Sequence, residues 1–275
     1  MTDIVIGQYY PIKSFVHSLD PRTKLLASIA MIVMIFLANT FIGLAISLVF
    51  ILLVDFIAHI PLKKLLKGLK AIYFLLAFTF ILNVFFYAGE DVILTWWILR
   101  LTSEGLRRAF FMAFRLLLLV TGAGLLTFTT SPIELTDGIE ALLRPLAKIK
   151  FPVHEIAMMM SIALRFIPIL TEETDKIMKA QTARGAVFDE GSIIKRARAI
   201  VALLIPLLVS AFRRAEELAM AMEARAYHGG EGRTRLKTLK YSRRDLAALF
   251  FVLAFALLII LDKILLGTLL PMLVG

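Results

Sequence analysis

The stretch "FIGLAISLVFILLVDFIAHI", residues 41–60, sets one acidic group, Asp55, among residues that are otherwise nearly all apolar. A helix needs about 20 mostly apolar residues to cross a bilayer, and this segment has the length and composition to do so. Immediately before it, Asn39 and Thr40 interrupt a second apolar run, Leu25 to Ala38, with room only for a tight helical hairpin. That first run has a well-formed start signal: Asp20 is suited to capping and Pro21 to the first helical position.

Further outward, three more apolar runs lie at Leu69 to Ala88, Leu106 to Phe128 and Leu246 to Leu270, giving five expected spans. The whole chain agrees, with 60% hydrophobic residues in 275 and a mean hydropathy of +0.85, far beyond soluble domains. The expected fold is therefore an all-α polytopic membrane protein. Cysteine is absent, which excludes disulfides, thiolate nucleophiles and cysteine-based metal sites. The net charge of +10 is assigned to cytoplasmic loops and anionic lipid rather than to nucleic acid, which is not an expected partner. The N-terminal stretch lacks the pattern of a cleaved signal peptide, so the first span is expected to direct insertion.

Orientation follows from the short loops. "PLKKLLKGLK" (61–70) carries four lysines, whereas "AGEDVILTWW" (88–97) carries two acids, two tryptophans and no basic residue. The lysine loop is expected inside the plasma membrane, which places the N-terminus and residues 130–243 in the cytoplasm and the C-terminus outside. Arg107 and Arg108 then fall near the outer end of the fourth span, against the rule.

Three regions result: 1–129 with four spans, a cytoplasmic or interfacial helical module over 130–243, and a last span over 244–275. The module opens on "SPIELTDGIEALLRPLAKI" (131–149), where Ser131, Pro132 and Glu134 stand at capping-box spacing before an amphipathic helix. "VHEIAMMMSIALRFIPIL" (153–170) is apolar but holds Glu155 and Arg165, and is expected to be interfacial or half-inserted. "AIVALLIPLLVSAF" (199–212) is short for a span and is expected to be buried or re-entrant. Pro168 and Pro206 are expected to precede two polar helices of related design. Aligning 172–186 on 213–227 superimposes Ala180 on Ala221, Ala183 on Ala224 and Arg184 on Arg225.

Motifs for chemistry are scarce. There is no phosphate loop for ATP and no hydrolase or zinc-protease signature, and His17, His59, His154 and His228 are scattered. Within the spans, Asp55, Asn83 and Arg115 read as interhelical hydrogen bonds or an Asp–Arg pair, with an ion pathway as the sharper alternative. Gly122 and Gly124 read as close helix packing. The run Met158, Met159, Met160, with Met178, Met220 and Met222, suits either core filling or a surface that accepts several partners. Arg184 alone is explained by the helix dipole, with Gly185 as a helix end. Its repetition at Arg225 favours two guanidinium forks on small-residue tips that enter a partner's groove.

The stretches "HSLDPRTKLLA" (17–27), "SPIELTDGIEALLRPL" (131–146), "ALRFIPILTEETDKIMKAQTARGA" (163–186) and "MEARAY" (222–227) resemble the transmembrane, or T, component of energy-coupling factor transporters, the EcfT/CbiQ family. The resemblance implies a non-catalytic subunit of an ATP-driven importer of vitamins or other micronutrients. It implies three partners: a substrate-binding membrane S subunit and two EcfA-type ABC ATPases, which bind ATP and Mg while this chain binds no cofactor or metal. It assigns ATPase docking to Ala183, Arg184 and Gly185 and to Ala224, Arg225 and Ala226, the last departing from the family's usual glycine. Contact with the S subunit is expected around Met158, Met159, Ile162, Leu203 and Leu207. The alternatives are the T component of a cobalt or nickel importer and an autonomous secondary transporter; the latter would need a polar midplane site and matching broken helices that the spans do not offer.

Overall fold

The computed structural model describes residues 9–70, 72–86, 92–96, 99–188, 192–229 and 239–265. The chain folds as two compact units, Met1–Ala141 with Thr238–Gly275, and Leu142–Lys237. In the first unit lie helices α1 (Pro21–Leu37), α2 (Phe41–Ala58), α3 (Leu62–Lys70), α4 (Tyr73–Phe86), α5 (Ser103–Thr129), α6 (Pro132–Leu143) and α9 (Arg243–Ile264). The second holds a 3-10 turn over Arg144–Ile149 and two long helices, α7 (Val153–Ala183) and α8 (Ile193–Ala224). A short antiparallel hairpin, β1 (Val92–Trp96) with β2 (Leu99–Thr102), is the exception to the helical architecture among the described residues.

Among the described residues four helices are long and apolar enough to cross a membrane: α2, α5, α7 and α9; the α3–α4 pair, bent by 64°, makes a fifth if counted as one span. At 17 residues, α1 is at the short end of the spanning range. The protein is a multi-pass membrane protein. Large apolar side chains stand exposed on its helices, Phe36, Phe56, Phe74 and Phe250 among them, a liability in water and the proper surface for lipid.

The core of the first unit is built on α5, which packs against α1, α2, α3 and α4, while α9 closes on α1 and α2. Ile35, Leu44, Ile51, Leu118 and Ile259 are fully buried in it. Phe50 stacks on Phe251 and Phe255 with ring centroids at 5.1 and 4.2 Å. Gly122 is the close contact expected of it, since a Cβ there would lie 2.7 Å from Met31 Cε of α1. At Gly124, among the described residues, a Cβ would meet Phe128, one turn on in the same helix.

Polar groups tie the helix ends together. Asp20 caps α1 by accepting from the Arg22 amide at 2.9 Å, as the Asp-Pro signal predicts. The Asp20 amide in turn donates to Asp245 Oδ1 at 2.8 Å, and Asp245 Oδ2 accepts from the Ser242 amide at 2.7 Å and its hydroxyl at 2.8 Å. One carboxylate thus caps α9 and holds the start of α1. Lys24, buried, donates to the carbonyls of His17 and Thr129, each at 2.9 Å, which supplies a cation to the C-terminal end of α5. At the opposite end of the unit, the α1–α2 turn meets α5 through Arg115, which donates to the Ala38 carbonyl, and meets α9 through Thr40 and Asp262.

Several sequence expectations are corrected here. The lysine stretch 61–70 is mostly the helix α3 rather than a loop, because its leucines and lysines alternate at helical spacing. Residues 92–96 form a strand, and 87–91 and 97 fall outside the described residues. Asp55 and Arg115 do not pair: Arg115 binds Ala38 at one end of the unit, and Asp55 lies near the other end of α2, its Oδ1 buried without a hydrogen-bond partner. Asn83 donates to Thr79 within its own helix at 2.8 Å, so it is not an interhelical bond. Pro168 and Pro206 lie inside α7 and α8, not ahead of separate polar helices, and 199–212 is part of the continuous helix α8.

Two outcomes follow from the polar end of the first unit. Asp245→Ala, which strands the Asp20 and Ser242 amides, should cost about 2–4 kcal/mol of stability, read as a lowered Tm in detergent against Arg213→Ala on the exposed face of α8. His17, held by Ser14 Oγ at 2.7 Å and the Tyr10 carbonyl at 3.0 Å, has its pKa lowered, first by burial and also by Lys24. The unfolded chain therefore binds the proton more readily, and this site's contribution falls as pH drops below the ordinary histidine range near 6.5. A His17→Gln variant should lose less stability than the native chain between neutral pH and that acidic range, measured by thermal unfolding across pH.

Candidate docking site: two arginine helix tips

Within the second unit, two polar contacts among the described residues join α7 and α8. Arg214 Nη2 meets Glu173 Oε2 at 3.3 Å. Gln181 Nε2 donates to the Ala202 carbonyl at 3.5 Å. These contacts run in opposite directions along the two helices, so α7 and α8 pack antiparallel there.

The second contact has a local cause. Pro206 lacks the amide that would otherwise bond to the carbonyl four residues back, which is that of Ala202. Gln181, in the last turn of α7, reaches the acceptor that the proline releases. A boundary at Pro206 follows from its missing donor alone; the replacement donor from α7 accompanies the helix continuing through it.

Glu173 and Arg214 occupy equivalent positions when 172–186 is aligned on 213–227. Arg184 and Arg225 each stand eleven residues beyond that pair, about 16 Å along a straight helix. Because the helices are antiparallel, the two tips lie at opposite ends of the pair, up to about 33 Å apart. Both arginines are exposed.

The two tips end in the same hydrogen-bonded motif. At the first, the Gly185 amide donates to Thr182 O at 2.9 Å and the Ala186 amide to Gln181 O at 3.0 Å, with Gly185 left-handed at φ 88°. At the second, the Ala226 amide donates to Glu223 O at 2.8 Å and the Tyr227 amide to Met222 O at 3.1 Å, with Ala226 left-handed at φ 52°. Both are Schellman ends, in which the residue after the cap turns left-handed to satisfy the last carbonyls. Glycine takes that conformation freely; alanine does so against a penalty of about 1–2 kcal/mol. The departure from glycine at Ala226 therefore changes the strain of the tip and not its shape.

Apolar side chains flank each tip: Val187, Ile193 and Ile194 are exposed near the first, and Met220 near the second. Of the residues expected to meet a membrane partner, Met159 is exposed and Met158, Ile162, Leu203 and Leu207 are half-buried. The most exposed stripe on α8 is Val201, Leu204, Ile205, Leu208, Val209 and Phe212, a continuous face at helical spacing that lies beside Leu203 and Leu207. Only the structure separates the two faces, because every residue in this stretch except Pro206 and Ser210 is apolar.

A family model described as cobalt transport protein, CbiQ, matches residues 12–236. The chain is 52% identical over 263 residues to an energy-coupling factor transporter transmembrane protein EcfT of Clostridium kluyveri, covering 95% of this chain and 97% of the relative. It is 53% identical over 248 residues to the protein of that name in Thermosediminibacter oceani, covering 90% and 93%. Against that of Bacillus subtilis the identity is 47% over 259 residues, covering 94% and 98%.

The strain at the second tip is measurable. Ala226→Gly should stabilise the end of α8 by about 0.5–1 kcal/mol, the relieved strain less the entropy that glycine adds to the unfolded chain. Slower hydrogen exchange at the Ala226 and Tyr227 amides would report it, and Gly185→Ala should act oppositely at the first tip.

Proposed function

The chain belongs to the family of energy-coupling factor transporter transmembrane proteins, and on that footing we propose that it joins a substrate-binding membrane S subunit to two cytoplasmic EcfA-type ABC ATPases. It is a transport scaffold, and the ATP and Mg are bound by the ATPases. The observation that carries this reading is the pair of exposed arginines, Arg184 and Arg225, on matching helix ends at equal distance from one inter-helix ion pair.

Each tip presents a planar fork of five donors, suited to carboxylates and backbone carbonyls in a partner's groove. Ala183 and Ala224 before the arginines, and Gly185 and Ala226 after them, add almost no side-chain bulk, so the guanidinium seats deeply. ATP-driven approach of the two ATPases moves the tips, and the Glu173–Arg214 pair couples α7 and α8 so that they move together rather than as separate rods. The exposed apolar faces of α7 and α8, including Met159 and the stripe beside Leu203 and Leu207, receive the S subunit. In this reading the lysine-rich α3, the N-terminus and residues 130–243 face the cytoplasm and the C-terminus lies outside, in the cell membrane.

Vitamin or other micronutrient uptake is the favoured cargo class. The description of the matching family model, cobalt transport, supports import of a metal ion as the second reading. Co-purification of the S subunit with its solute separates the two.

Arg184→Glu combined with Arg225→Glu, expressed with the cognate ATPases and S subunit, should abolish uptake and ATPase co-purification while the chain still inserts into the membrane. Undiminished uptake and co-purification in that double variant would remove the docking role.

A further inference from the structure

Where α1 and α9 begin and α5 finishes, the first unit encloses a partly open cavity of about 260 Å³. Protein interiors hold few voids larger than a water molecule, and an apolar cavity of about 150 Å³ already takes a benzene-sized guest. On that scale this one has room for about ten carbon atoms. Its lining is graded from polar to apolar. Toward the helix ends it includes Lys24, Ser28 and Thr129, and further along the helices the walls are Met31, Phe50, Val54, Leu125 and Phe251.

Two of the polar groups have a donor to spare. Lys24 is buried, and its ammonium places two of its three N–H groups, on the carbonyls of His17 and Thr129 at 2.9 Å each. The third meets no acceptor among the described residues. Ser28, four residues on and so on the same face of α1, has a hydroxyl that makes no hydrogen bond with them either. Thr129 differs, since its hydroxyl donates to the Leu125 carbonyl at 2.7 Å. Asp20, Asp245 and Glu134 act on Lys24 at longer range and offset its charge. What this end of the cavity lacks is an acceptor and not an anion.

We propose that this cavity holds one ester-linked acyl chain of a membrane phospholipid, its ester carbonyl accepting from Lys24 and Ser28 and its tail running inward to Met31. A carbonyl oxygen carries two lone pairs, enough for both donors. Tail and walls are alike apolar, so the chain supplies the packing contacts that a void forfeits. The bilayer is the source. Its ester linkages lie at the level of the ends of spanning helices and its acyl chains run toward their middle, the same polarity as the cavity. The phosphate headgroup needs no site in this arrangement, so the lipid is selected by its linkage and not by its headgroup charge.

The test is photolabelling of the assembled transporter in nanodiscs of diester phosphatidylglycerol, with a trace of the same lipid carrying a diazirine on one acyl chain. The diester label should reach Met31 and Leu125, each 4% exposed and shielded from bulk lipid, as well as the exposed Phe250. A diether label, which has no carbonyl, should reach Met31 and Leu125 about tenfold less, the factor expected for one hydrogen bond to a charged donor, and Phe250 equally. Ser28→Leu, which fills the cavity and removes a donor, should abolish label at Met31 and Leu125 while Phe250 labelling and subunit assembly persist. Absence of label from both buried residues in the native chain overturns the proposal. So does equal labelling by diester and diether, or labelling unchanged by Ser28→Leu. Displacement of the label by decanoate, with no preference for the diester, overturns the phospholipid as occupant and assigns the cavity to a free fatty acid. If Ser28→Leu does not assemble, Ser28→Ala decides: it should lower the diester label at Met31 and Leu125 several-fold, and an unchanged label overturns the proposal.

Discussion

The carboxylate of Asp245 is the point on which the membrane unit closes. It caps α9 through Ser242 and receives the Asp20 amide from the start of α1, while Asp20 holds Arg22 at 2.9 Å and Arg22 lies over Tyr241 at 4.0 Å. Helices in lipid must satisfy their backbone groups internally, and the termini are where this is hardest. Here two N-termini share acids and one C-terminus takes the Lys24 ammonium, so the charges complement the helix dipoles at each end. The helices behind them need only pack apolar surface, which is what Ile35, Leu118 and Ile259 do.

The second unit solves a different problem with the same material. Long helices transmit displacement only if they are continuous, yet α7 and α8 each contain a proline. In α8 the freed Ala202 carbonyl is met by Gln181, so the place where α8 is weakest is also where α7 holds it. Gln181 is three residues from Arg184. In the proposed role, a force on the first arginine tip is therefore delivered directly to the proline-containing turn of the other helix.

Much of this was legible in the sequence. Asp20 and Pro21 announced the start of α1, Ser131 Oγ accepts from the Glu134 amide at 3.3 Å as the capping spacing anticipates, and the length of the apolar runs gave the membrane class. What was not legible depended on partners distant in sequence. The helix through Pro206 rests on a side chain from α7, the separation of Asp55 from Arg115 on which end of α2 each approaches, and the face of α8 that stays exposed on its neighbour. The lysine-rich α3 was missed for another reason: charge counting for orientation weighed its lysines and overlooked the leucines between them. The pairing of Glu173 with Arg214 was available, because it joins equivalent positions of the aligned segments, but nothing in one sequence says that such positions meet.

Ala226 shows how far a shared geometry can be reached by different balances. Gly185 enters the left-handed region without strain but brings more freedom to the unfolded chain. Ala226 carries the strain and brings less freedom, so part of its penalty is offset before folding begins. Both tips nevertheless make the same two closing hydrogen bonds, with the arginine one residue before the turn. The position of the arginine is therefore fixed by the helix-ending bonds and not by the glycine, and a partner that reads guanidinium placement encounters two equivalent ligands. The difference lies in stiffness: a strained alanine end unwinds at a smaller load than a relaxed glycine one, which makes the second tip the more compliant of the two.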